Sequence, residues 1–244
     1  MKFFEVIFTV ILIADNVIGY YIIVQDPAST KQNDDEKFRE FLEVKLREVM
    51  KKGDIELGIP VLDPFVGNDK TIEYNSQNLA FIGTLNDFYL KELSSYVVKS
   101  SNLNLLKFRI SLNITFPKIV SSGLYQLDGI AYQDVPIYGK GNFQFVVSNF
   151  SIFAESTVSL SGGVCIKSLD LKLSLEKIEF NATGIFYDDS TSIVLSQVIS
   201  DVLPEIVTVH YHDNITAIVA EKIIDMANEK LEGKTWKDLR EWLG

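Results

Sequence analysis

From Leu106 to Phe116 every even position is apolar (Leu106, Phe108, Ile110, Leu112, Ile114, Phe116) and every odd one is Lys107, Arg109, Ser111, Asn113 or Thr115. Alternation sustained over this length predicts a strand with one buried and one wet face. The pattern returns at Leu169, Leu171, Leu173 and Leu175, then changes parity to Ile178 and Phe180. A parity change inside a strand predicts a bulge or bend near Glu176-Lys177. Weaker strands are expected over about 71–90, 123–138 and 142–160, separated by turns such as Gly139-Lys140-Gly141 and Ser161-Gly162-Gly163.

Helical periodicity flanks this β-rich middle. Asp34-Asp35-Glu36 opens a helix running to about Lys52 and ending at Gly53, with acids at its start and Lys51-Lys52 at its end, as the helix dipole favours. Phe38, Phe41, Leu42, Leu46, Val49 and Met50 form its apolar face. From about Thr191 the chain turns helical again with Ile193, Val194, Leu195, Val198, Ile199, Val202 and Leu203, and a second run extends from Ile215 to Leu231. Continuous, the two would span about 60 Å at ~1.5 Å per residue, with Pro204 kinking or interrupting the first. These elements predict an α+β chain: a long, strongly curved antiparallel sheet wrapped around a long C-terminal helix, as one elongated domain.

Residues 121–143, SSGLYQLDGIAYQDVPIYGKGNF, join a G-x-Y-x-x-x-G turn to a P-I-x-G-x-G hairpin and carry no obvious catalytic group. With L-G-I-P-x-L-D-P-F at 57–65 and the alternating run after Leu103, they resemble the takeout and juvenile-hormone-binding family of insect lipid-binding proteins. The resemblance covers roughly residues 34–230. It implies an α-wrap (super-roll, TULIP-like) fold holding lipid between sheet and helix, and transport of a juvenile-hormone-like terpenoid, fatty acid or odorant in haemolymph. Periodicity alone does not specify the wrap. Members usually carry a cysteine pair near the mature N-terminus, and positions 20–50 here contain none.

Composition fits a large folded unit: of 244 residues, 47% are hydrophobic and 23% charged, without the bias that marks disorder. Residues 1–19 read as a secretory signal, with Lys2 as the positive region and an apolar stretch from Val6 to Ala14. Residues 20–244 are then the single lipid-binding domain, soluble and extracellular, without stable membrane insertion. Sequons at Asn113, Asn149, Asn181 and Asn214 agree with export and predict a glycoprotein. Removing Lys2, Glu5 and Asp15 from 23 basic and 33 acidic residues leaves 22 and 31, a net charge near −9. Such a surface repels nucleic acid and lipopolysaccharide.

Candidate chemistry is thin. Gly139-Lys140-Gly141 lacks the third glycine of a dinucleotide fingerprint, and no G-x-S-x-G elbow supports a serine hydrolase. His210 and His212, the two histidines, are expected in a solvated loop between helices, where no Cys or H-x-x-x-H spacing points to a third ligand for a metal. Cys165, the lone cysteine, lies between Val164 and Ile166 and reads as a small buried hydrophobe. Asp34-Asp35-Glu36 and Asp188-Asp189 sit at helix starts, which explains them. Trp236, Leu239, Trp242 and Leu243 form an amphipathic tail expected to dock on the body.

What remains is a binding chain rather than an enzyme, a monomer without a cofactor. Expected lining residues are Phe38, Phe41 and Leu42; Leu62 and Phe65; Phe108, Ile110 and Leu112; and Ile199, Leu203, Ile218 and Ile223. Tyr125 and Tyr138 are the phenols placed to orient a guest by hydrogen bonding. Two alternatives stay open: an extracellular recognition protein with a filled core that binds a receptor, and a pigment carrier holding a bilin through Cys165 or the same cavity.

Overall fold

The computed structural model describes residues 36, 38–55, 59–104, 107–132, 134–159 and 164–233. The expected signal segment, the Trp236/Trp242 tail, Asp34-Asp35, Leu57-Gly58, Leu106 and the 161–163 turn lie outside the described residues.

Eight strands form one open antiparallel sheet: β1 (Phe65–Gly67), β2 (Lys70–Asn75), β3 (Leu79–Lys91), β4 (Val97–Asn104), β5 (Arg109–Ala131), β6 (Val135–Ser159), β7 (Cys165–Ser174) and β8 (Lys177–Ala182). The spine is the β5–β6 hairpin, paired from Arg109↔Thr157 to Ala131↔Val135. β3 and β4 divide the outer edge of β5, while β7 and β8 divide the outer edge of β6. Among the described residues, three α-helices accompany the sheet: α1 (Leu46–Lys52), entered through a π-helical turn at Phe41–Lys45; α2 (Asp189–Glu205); and α3 (His212–Leu231).

Alternation holds along each strand but reverses along one line. In β5 the buried apolar positions are Ile110, Leu112, Ile114 and Phe116, then Ile119 with Val120 beside it; in β6 Val147 is followed by Phe150 and Ile152; Leu171 and Leu173 of β7 give way to Ile178 of β8. The three reversals meet at Pro117, Asn149 and Glu176. Pro117 cannot donate to a ladder, Asn149 takes a left-handed φ of 48°, and its amide donates to the Glu176 carboxylate. The result is a crease dividing the sheet into two halves.

Several sequence expectations change. Gly139-Lys140-Gly141 is not a turn but part of β6, and the hairpin joins Ala131 to Val135, preceding β6. The glycines serve close approach instead: a Cβ on Gly141 would lie 2.1 Å from the Thr183 carbonyl, where the segment after β8 crosses β6. Gly129 likewise lies inside β5 rather than at a turn. The strand expected from Leu106 starts at Arg109, because Phe108 turns the chain with φ 50°. Pro204 sits in the last turn of α2, and the helix is interrupted just after it by a π-helical turn, Ile206–His210.

The first half of the sheet is packed solid. α1 and the helical turns before it lay Phe38, Phe41, Leu42, Leu46 and Met50 against it, all at most 4% exposed, and α3 adds Val219, Ala220 and Ile223. Each of these side chains larger than alanine contributes about 1.5–3 kcal/mol by leaving water. Tyr96 joins the layers: its hydroxyl donates to the Leu42 carbonyl, its ring packs on Phe116, and Arg47 lies 5.1 Å above it. Burial raises the Tyr96 pKa, against the opposing pull of Arg47. The L-D-P-F segment fixes the next turn, since Asp63 accepts from the backbone N–H of Glu92 at 2.9 Å and of Ser94 at 2.7 Å.

Candidate ligand groove

α2 docks on the sheet by its polar side. Ser192, Ser196 and Ser200 fall on one stripe at i, i+4 spacing, and their hydroxyls accept from the edge N–H groups of Ile185 (2.9 Å), Ala182 (3.0 Å) and Phe180 (2.8 Å). Ser200 also donates to the Phe180 carbonyl at 3.2 Å. α3 holds the edge of β7 in the same manner, through Asn228 to Ile166 and through His212, whose Nε2 accepts from the Leu173 N–H at 3.1 Å. His212 is therefore a clasp on β7 rather than part of a solvated loop; His210 is exposed in the π-helical turn. From Ser192 to Asn228 a helix covers about 54 Å, and from Ile185 to Ile166 a strand covers about 63 Å, so helix and edge can run side by side.

This docking leaves the greasy flank of α2 only partly covered. Advancing 100° per residue places Leu195, Val198, Ile199, Val202 and Ile206 on one flank beside the serine stripe. Val198 is 49% and Val202 47% exposed, while the buried residues of α2 are Ser192 and Ser196. The stretch Asp189–His210 is long and apolar enough to cross a membrane by composition, yet only 11% of its most apolar 18 residues are buried. α3 is the opposite case, with Val219, Ala220, Ile223 and Ala227 buried.

Across the sheet from α2 the floor is aromatic and half-buried. Phe145 and Phe180 pack with centroids 4.4 Å apart, Phe143 stacks near Phe88, and Tyr125 and Leu127 continue the same face of β5. Farther along, an open depression of about 450 Å³ is lined by Glu73, Tyr74, Phe81, Asp128, Gly129 and Ile130 among others. None of the fourteen lining residues expected from sequence borders it.

Those fourteen fall into three groups. Phe38, Phe41, Leu42, Leu62, Ile110, Leu112 and Ile223 are fully buried in the packed half, at most 7% exposed. Phe65, Tyr125, Tyr138, Ile199 and Leu203 are half-buried; Phe65 and Leu203 pack against the core, and Ile199 is on α2. Phe108 and Ile218 are exposed, at 42% and 56%. The Tyr125 hydroxyl is committed to the Thr183 carbonyl at 2.9 Å, and partial burial, with Tyr187 nearby, raises its pKa. Tyr138 packs between Phe186 and Tyr187. The serine stripe was missed in sequence, although S-x-x-x-S-x-x-x-S at 192–200 is legible there.

Of the sequons, Asn149, Asn181 and Asn214 are exposed, and Asn113 is half-buried opposite Phe153. Cys165 is half-buried at the start of β7, less covered than its apolar neighbours imply. Asp188 caps α2 through the Thr191 N–H at 2.6 Å, and these hydrogen bonds from Thr191 lower its pKa. No three His, Cys, Asp or Glu groups among the described residues are placed to hold a metal ion.

The family model for haemolymph juvenile hormone binding protein matches residues 10–241. The chain belongs to that family. Its fold is similar to the crystal structure of Takeout 1 from Epiphyas postvittana, at TM-score 0.52 and 18% identity over 86% of this chain and 89% of that one. A weaker likeness is to lipopolysaccharide binding protein, at TM-score 0.38 and 12% identity over 84% of this chain and 39% of the other. Comparison with curated proteins gives no match. Family membership carries the coarse reading, a carrier that binds a hydrophobic ligand, and the open antiparallel sheet with its C-terminal helices is the fold of that group.

Proposed function

We propose that the chain is a secreted, monomeric carrier that takes up a hydrophobic small molecule between the apolar flank of α2 and the aromatic floor of β6 and β8, performing no chemistry on it. The guest is of the terpenoid, fatty-acyl or odorant class. The observation that carries this reading is the reversed burial of α2, whose serines face protein while Val198 and Val202 stay exposed. A soluble chain gains by covering such a flank, at ~25 cal/mol per Å² before the costs of binding. Phe143, Phe145 and Phe180 supply the opposing surface.

Of the residues expected from sequence, Ile199, Leu203 and Tyr125 belong to this groove; the buried set around α1 supports it as packed core. Glycans at the exposed Asn149, Asn181 and Asn214 fit an extracellular carrier. Solvent extraction of the natively sourced protein followed by mass spectrometry tests the reading. A recurrent lipophile is expected; none, together with no uptake of fluorescent apolar probes, overturns it.

A further inference from the structure

We propose that the outer edge of β2, with the acid-flanked depression beside it, is a docking surface for an extended segment of a partner protein that alternates basic and apolar residues and pairs with β2 as an added strand. The inference goes beyond the carrier reading and does not use the groove.

β2 pairs with β3 on one side, and among the described residues no strand pairs with its other side. The edges of β7 and β8 are instead held by side chains of α3 and α2. A strand edge left this way offers its backbone N–H and C=O groups to an incoming extended chain.

The open depression of about 450 Å³ adjoins this edge. Two cross-strand rows line it, Glu73–Ile82–Asp128 and Asn75–Ala80–Ile130. Asp128 and Ile130 have the opposite parity to Tyr125 and Leu127, so these side chains lie on the far face of the sheet from the groove floor. Ile82 and Ile130 are 50% and 48% exposed, and Ala80, the smallest of the six, leaves the hollow between them. Clustered exposure of this kind marks an interaction surface.

Charge selects the occupant. The ionic side chains lining the depression are the carboxylates of Glu73 and Asp128, and no described lysine or arginine lines it. Lys140 is on the same face but lies on β6, in register with Gln126, outside the hollow. A second copy of this acidic chain would bring carboxylates against carboxylates, and an anionic lipid surface would meet the same repulsion. β2 itself alternates Thr71, Glu73 and Asn75 on one face with Ile72 and Tyr74 on the other, and Tyr74 is 48% exposed with its ring stacked on Phe81. A strand added beside it is therefore matched by basic residues next to Glu73 and apolar ones next to Tyr74. Asp128, two strands beyond β2 and so about 10 Å away at ~4.8 Å per strand, adds to the same negative field.

The test is fluorescence anisotropy of a labelled nonapeptide alternating lysine with valine, titrated with the full chain at low salt, beside a counterpart with glutamate in place of lysine. The lysine peptide should bind and the glutamate peptide should not, and bound peptide should slow amide exchange within 70–75 while α3 is unchanged. Glu73→Lys should weaken binding roughly tenfold or more, whereas Asp225→Lys, the same charge change at an exposed position of α3, should weaken it less than about twofold. No binding by the wild type, no added protection in β2, or equal losses in the two variants overturns the proposal. Sedimentation of the wild type as a dimer, or with phosphatidylcholine vesicles, that Ile82→Glu abolishes also overturns it, because a second copy or a bilayer would then occupy this face.

Discussion

The side-chain amide of Asn228 on α3 lies flat against the backbone of Ile166 at the edge of β7, accepting from its N–H at 2.7 Å and donating to its carbonyl at 3.0 Å. A side chain here supplies the pairing that a neighbouring strand would give, and closes an edge otherwise open to association. Asn228→Ala should cost about 1–2 kcal/mol in urea denaturation, the range for stranded buried polar groups. Amide exchange at Ile166 should accelerate in parallel.

The serine stripe makes a related expectation for α2. Replacing Ser192, Ser196 and Ser200 together by Ala removes the acceptors for Ile185, Ala182 and Phe180. Exchange at those three amides should rise by at least tenfold while the α1 half keeps its protection. Uniform loss of protection would show that the two halves do not open separately.

Tyr96 gives the chain an alkaline limit. Burial raises its folded-state pKa above the unfolded value of roughly 10, so the folded state retains the proton longer. Its contribution is fully present below the unfolded pKa and is lost as pH rises from there toward the folded pKa. Stability measured above about pH 10 should fall more steeply in wild type than in Tyr96→Phe, which has no phenol to ionise. At pH 7 the same substitution should cost about 1 kcal/mol for the lost bond to Leu42.

Gly141→Ala tests the close approach at β6. The new methyl would fall 2.1 Å from the Thr183 carbonyl, and both backbones are held by pairing. A loss of more than about 2 kcal/mol is expected, against a negligible effect for an exposed position such as Lys140→Ala.

Sequence periodicity was informative wherever one face of an element is covered and the other wet. It located the first part of β5, most of β6, the bend at Glu176 and the break after Pro204, but it split β5 and ran its 123–138 strand across the hairpin between β5 and β6. It misplaced Gly139-Lys140-Gly141 because a glycine required by a crossing backbone looks the same in sequence as one required by a turn. It missed the His212 clasp because a single imidazole carries no periodicity, and its partner is a backbone N–H 39 residues away. The division into a packed and an open half was also out of reach. Apolar faces are visible in sequence, but what covers them depends on which side α2 and α3 turn toward the sheet. Ile110 and Ile199 looked alike, yet one is 7% exposed in solid core and the other half-buried on a helix with a bare flank.

The central claim is that the bare flank of α2 is the wall of a ligand site. Uptake of a fluorescent apolar probe should therefore be compared between wild type, Val198→Arg on that flank and Ile193→Arg on the opposite side of the helix, both residues being exposed at 49% and 72%. Val198→Arg should lower probe affinity at least tenfold with unchanged Tm, and Ile193→Arg should bind as wild type does. Full uptake by a folded Val198→Arg chain would contradict the account.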